Sequence, residues 1–192
     1  MRKLITSLMI CVAVVLFTTP SALADDESTS AELKVEAKQA KINEVADETL
    51  QTLFKERPKA KDLYDKAAGW AVFDNTKVAF GLTGGGGNGV AVSKATGEKT
   101  YMKMGTGGVG LGIGVNKYQI VFLFQDETTL KNFVTKGWQA DASATAAAGK
   151  NAADAKTDFS NGIAIYQFTE KGLMVNADVA GTKYWQNDKL NE

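Results

Sequence analysis

Between residues 31 and 55 the apolar positions recur at helical spacing. Leu33, Ala37, Ala40, Val45, Leu50, Leu53 and Phe54 fall near one face, with lysines and glutamates between them. Thr29 or Ser30 is placed to cap this helix near Ala31, with Glu32 in its first turn. Pro58 ends it and starts a second helix, Lys59 to about Ala67, with Leu63, Tyr64 and Ala67 inward and Gly69 near its end. From Trp70 the period changes to two. Trp70 to Phe73 reads as a short strand and Asp74-Asn75 as a turn. Val78, Phe80 and Leu82 alternate with Lys77, Ala79 and Gly81. Gly84 to Gly87 with Asn88-Gly89 reads as a flexible turn. Val90 to Val92 and Lys99 to Met104 read as strands about a Thr96-Gly97 turn.

The next strand is the most unusual part of the chain. Gly81 to Asn116 holds 13 of the 19 glycines in 36 residues. Its centre, Gly108 to Val115, alternates glycine strictly with Val109, Leu111, Ile113 and Val115. Each strand glycine costs roughly 0.5–1 kcal/mol relative to alanine. The bare face of Gly108, Gly110, Gly112 and Gly114 is therefore expected to be a structural seat for a close neighbour. The first helix or the small-residue segment Trp138 to Ala146 are the two candidates.

Asn116-Lys117 reads as a tight hairpin. Tyr118 to Phe124 is apolar on both faces and so central in its sheet. Asp126 caps a short helix through Leu130, Phe133 and Val134, closed by Gly137. Trp138 to Ala146 has alanines that favour helix but an alternating pattern that favours strand, and the pattern is followed here. Gly149 to Ser160 reads as a loop, Ile163 to Phe168 as a strand and Glu170-Lys171-Gly172 as a turn. Leu173 to Ala180 and Thr182 to Trp185 complete the strands. Successive strands with short turns predict an α+β fold: an antiparallel β-sandwich or partly closed barrel, with N-terminal helices packed on it. Strands this short, together with the helices and a polar C-terminus, argue against an outer-membrane barrel, whose strands need about 9–11 residues.

The first residues change the picture of where the chain works. Arg2 and Lys3 precede an apolar run from Leu4 to Phe17, Pro20 breaks it, and Ala22-Leu23-Ala24 precedes Asp25-Asp26. Residues 1–24 are expected to be a secretory signal peptide, cleaved near Ala24, because the apolar core is too short to span a bilayer. Cys11 is no lipoprotein cysteine, since Ile10 before it is not small. The expected organisation is a flexible 25–30, one domain over 31–187 and a polar tail, 188–192. Without its leader the chain has neither cysteine nor histidine. A bacterial periplasm or cell envelope suits an exported chain held together by packing alone.

Composition narrows the chemistry. Twenty-two basic residues balance 22 acidic ones, so no global field attracts nucleic acid. The absence of histidine from the whole chain removes the commonest general base and metal ligand. Gly105 to Gly110 fits a G-x-G-x-x-G spacing, but a strand follows it where a nucleotide site needs a helix. Gly84 to Gly87 lacks the Lys-Ser/Thr of a phosphate loop. Neither catalysis, a nucleotide, a metal nor any other cofactor is expected. What remains is one basic concentration: Lys55, Arg57, Lys59, Lys61 and Lys66, diluted by Glu56, Asp62 and Asp65. A solvated face is one reading of it. Binding to acidic lipid headgroups is the other.

Several blocks resemble the SYLF domain family. Lys66 to Phe73, then Lys77 to Gly81 and the Gly-rich turn, are similar to its opening. Tyr118 to Phe124, Lys136-Gly137-Trp138, Glu170 to Met174 and Gly181-Thr182-Lys183 are similar to its later blocks, in order, over about residues 34–185. The resemblance implies a lipid-binding module and no enzyme. Eukaryotic members bind phosphoinositides and other acidic phospholipids through a basic, amphipathic N-terminal part, and some associate with actin. Bacterial members are exported and linked to phospholipid. Fungal and animal members carry a Trp-Ser-x-Pro-like block where this chain has Thr100 to Met104, which fits the bacterial branch. The interleaved acids mean that phosphoinositide selectivity and actin binding do not carry over. The expected partner is a phospholipid or membrane surface. Self-association or a protein partner on the glycine face is the competing expectation.

Overall fold

A computed structural model of the chain describes residues 24–139, 159–169, 172–174 and 181–192. Its contacts divide the chain into two units, Met1–Lys34 and Val35–Glu192. Described residues of the first are turns of the long helix α1, Ala24–Glu56. Residues 25–30, expected to be an open lead, are thus helical.

The second unit is built on one hairpin. Strand β1 runs unbroken over Gly69–Ser93 and β2 over Lys99–Phe124, paired antiparallel along almost their whole length. The expected turns at Asp74-Asn75, Gly84–Gly89 and Asn116-Lys117 are corrected by this. Those residues sit in register inside the ladder, opposite Gln119-Tyr118, Gly107–Met102 and Lys77-Thr76. Chain direction does not reverse there. The long hairpin instead curls back over itself, and the glycines make that close approach feasible.

The curl is legible in what a Cβ would strike. On Gly85 it would lie 2.7 Å from the Thr76 carbonyl oxygen, and on Gly69 2.6 Å from that of Val92. On Gly87 it would collide with Asn75 and the Asp74 carbonyl, and on Gly89 with the Val72 carbonyl and the Phe73 ring. These close approaches are centred on Phe80–Gly81, where the pairing with β2 shifts between Phe80 and Leu82. Gly81 has φ +73°, a backbone conformation that side-chain-bearing residues avoid. The Ala68 carbonyl accepts from the Lys94 N–H at 2.9 Å, which closes the far end of the curl.

The remaining strands extend both halves. Strand β4, Ile163–Thr169, pairs with the C-terminal half of β2 and carries β5, Gly172–Met174. Strand β6, Thr182–Gln186, pairs with Met102–Thr106 of β2 and carries β3, Trp138–Gln139. Among the described residues this is a curled antiparallel sheet of six strands, a half-barrel with helices packed on it. Strand expectations for 140–146 and 175–180 lie outside the described residues.

Each face of the sheet has its own core, because β1 and β2 are apolar at successive positions at their ends. One core holds Ala71, Phe73, Ile120, Phe122 and Phe124 under helix α3, Glu127–Lys136, which contributes Leu130 and Phe133. Asp126 caps α3 by accepting from the Thr129 N–H at 2.8 Å, and these bonds hold its carboxyl below the ordinary range. Gly137 closes it. The other core holds Trp70, Val72, Val90, Val121 and Leu123 under α1 and under α2, Pro58–Lys66. The residues 188–192 are no free tail. Asp188–Leu190 forms a 3-10 helix, Leu190 is buried in the second core, and the Asn191 side chain brackets the Tyr101 backbone at 2.8 Å on both sides. A lone leucine among polar residues has no period to reveal this.

Tyr184 lies fully buried in the first core, and its hydroxyl finds no hydrogen-bond partner among the described residues. Burial pushes its pKa well above the ordinary 10, and Tyr118 adds to this. The unfolded chain would ionise this phenol first, so stability is whole below about pH 10 and falls as the pH rises beyond it. Tyr184→Phe is expected to stabilise the protein at neutral pH by up to about 1 kcal/mol and to make that alkaline loss shallower. Thermal melts at neutral and alkaline pH check both.

An exposed apolar apex as the candidate functional site

The middle of the curled hairpin is where the helices stop covering it. There the alternation of β1 and β2 places Val78 opposite Val115 and Phe80 opposite Ile113, and directly opposed residues share a face. All four are exposed, as is Leu82 just past the shift. Phe80 is 78% exposed, Leu82 71% and Ile113 83%, values normally seen for lysine or glutamate rather than phenylalanine or isoleucine. Of the seven large apolar side chains exposed among the described residues, five stand at this apex.

The glycine face was expected to be covered. At the described positions it is not. A Cβ on Gly114 would meet nothing within 4 Å, and on Gly108 only the Thr83 hydroxyl at 3.3 Å. Gly110 and Gly112 continue the same strand. The close contacts of this glycine-rich stretch occur instead at Gly85, Gly87 and Gly89, within the curl.

The electrostatics are one-sided. From Asn75 to Gln125 the chain has five lysines, Lys77, Lys94, Lys99, Lys103 and Lys117, and one carboxylate, Glu98. Lys77 pairs in register with Asn116 and Lys117 with Thr76, so they sit one and two steps below the apex pair Val78–Val115. Lys117 is exposed. Lys94, at the other end, is bound: its ammonium donates to the carbonyls of Tyr64 at 2.9 Å and Asp65 at 3.1 Å, at the C-terminus of α2.

The basic residues picked out in the sequence form no comparable surface. Lys55, Lys59 and Lys66 are exposed on α1 and α2. Lys61 is tied to Asp65 in an ion pair and lies over the Phe54 and Tyr64 rings. Arg57 is half-buried near Tyr166, whose hydroxyl burial raises in pKa and Arg57 lowers. With Glu56, Asp62 and Asp65 also exposed, five cations there face three carboxylates. A cleft of about 260 Å³ between α1 and β1 mixes charges in the same way, with Lys38 and Lys41 across from Asp74. Among the described residues no group of histidine, cysteine or carboxylate side chains could hold a metal ion. The apex was missed in the sequence because its alternation looked like any half-buried strand. The near absence of carboxylates from residues 75–125 was the available signal.

Residues 105–192 match the family model Ysc84, described as Las17-binding protein actin regulator. The matched segment runs from Gly105, in the first third of β2, to residue 192. The chain is also 45% identical over 158 residues to Beta cell expansion factor A of Aeromonas veronii. That alignment covers 81% of this chain and 60% of the relative, so the chain spans less than two thirds of the relative's length.

Proposed function

From the match of residues 105–192 to the Ysc84 family, also called SYLF, we propose that the chain is an exported, non-catalytic module of the cell envelope that binds acidic phospholipid. The single observation that carries this reading is the charge of the hairpin: five lysines against one carboxylate over residues 75–125, with two of those lysines beside exposed apolar side chains. Each lysine near an anionic bilayer surface contributes about 1 kcal/mol, and the attraction falls within a Debye length. Lys55, Lys59 and Lys66 add a weaker second contact in this reading, discounted by the acids among them.

The leader-like pattern of residues 1–24 supports export, and the contact with lipid is made from the outside of the bilayer. Among the described residues no helix is long and apolar enough to cross a membrane. The protein is expected to float with vesicles rich in phosphatidylglycerol, to float far less with pure phosphatidylcholine, and to lose part of its binding as salt is raised. No flotation with anionic vesicles at low salt overturns the reading. The open backbone at Gly84, Gly107 and Gly114 favours self-association as the second reading. Light scattering that shows a stable oligomer indifferent to lipid would select it.

A further inference from the structure

We infer that the apex of the curled hairpin enters the hydrocarbon edge of an anionic bilayer as a wedge, with Val78, Phe80, Leu82, Ile113 and Val115 as the inserted side chains and Lys77 and Lys117 at headgroup level. This rests on the phospholipid reading and moves the main contact from the helical segment Lys55–Lys66 to the sheet.

Four observations carry it. First, four of the five exposed side chains are joined across the strands by the Val78–Val115 and Phe80–Ile113 pairs, and Leu82 follows two residues after Phe80. Second, outside the shift at Gly81 these residues lie in ladder register between β1 and β2, which holds the opposed apolar side chains on one face of the hairpin. Third, the order along the strand suits the interface. Lys77 comes directly before Val78 and Lys117 two residues after Val115, and three residues of strand from Lys77 to Phe80 reach about 10 Å, the depth of an interfacial insertion. Fourth, the charge chooses the occupant. No carboxylate lies between Asn75 and Gly97, so an anionic bilayer is attracted, whereas a second copy would bring its own Lys77 and Lys117 against these. Five side chains also fall well short of the about 20–30 residues a side of a standard protein interface.

The test uses the whole exported protein and vesicles of phosphatidylglycerol and phosphatidylcholine. Phe80→Trp should show bluer emission than the wild type on binding, and quenching by bromines on the acyl chains beyond that of the native tryptophans. Phe80→Ser combined with Ile113→Ser should weaken vesicle partitioning at least about tenfold, with an unchanged thermal melt because both side chains are exposed. A wild type that floats while Phe80→Trp is unquenched, or while the double serine variant floats equally well, overturns insertion and leaves the phospholipid reading standing. A wild type that never floats overturns both. A lipid-free oligomer that the double variant converts to monomer makes the apex a self-association face and overturns insertion.

Discussion

Gly89→Val is expected to cost about 3 kcal/mol or more, at the upper end for an overpacked core. A Cβ at position 89 collides with the Val72 carbonyl and with the Phe73 ring. Neither is free to move. Val72 is paired with Val121 in the ladder, and the Phe73 ring is held edge-on by Tyr184 at 4.7 Å and Phe122 at 5.9 Å. Valine would therefore force the two halves of β1 apart and open both cores. Gly84→Ala is the internal control. It sits five residues away in the same strand, meets nothing within 4 Å, and should be neutral or stabilising by roughly 0.5–1 kcal/mol. Urea unfolding followed by tryptophan fluorescence checks the pair. Equal midpoints for the two variants would mean that the hairpin does not curl as described.

The second large effect is expected at Phe122. Its ring is fully buried and packs at 5.1 Å from Tyr184, 5.1 Å from Phe133 and 5.4 Å from Trp138. It joins β2, α3, β3 and β6 in one aromatic cluster. Phe122→Ala should cost about 3–5 kcal/mol through lost transfer energy and an unfilled cavity. At about 3 °C per kcal/mol for a chain of this size, that is a fall of roughly 10 °C in Tm. Calorimetry would measure it, and near-UV circular dichroism should lose intensity as the neighbouring rings gain freedom. A fall of only a degree or two would show that the rings repack around the gap.

These two positions also show how much was legible beforehand. Phe122 was readable: Tyr118 to Phe124 is apolar on both faces, and only a central strand buries both. The caps of α3 were readable as well, because Asp126 and Gly137 act within one turn of chain, whereas Thr29 and Ser30, read as the cap of the first helix, lie inside α1. Gly89 was misread. Four glycines followed by Asn-Gly carry turn chemistry, and nothing local distinguishes a turn from a strand that must let another strand lie against its backbone. The argument from short strands also fails, since β1 and β2 run 25 and 26 residues. What sets this hairpin apart from a membrane stave is that its ends are buried on both faces, under α1 and α2 on one side and α3 on the other. For the candidate site, the lysines of α2 were visible, but not that Asp65 holds Lys61.

By itself the sequence determined the helical and strand regions in outline, the central strand, the caps of α3 and the family resemblance, because each is written in neighbours a few residues apart. The tertiary structure alone decided that β1 meets itself about Phe80–Gly81, that Leu190 returns to the core, and that five apolar side chains are left outside. Those outcomes depend on which backbone lies beside which across the curl. A period of two records only that a strand has two faces, and the packing of distant segments decides which of them is covered.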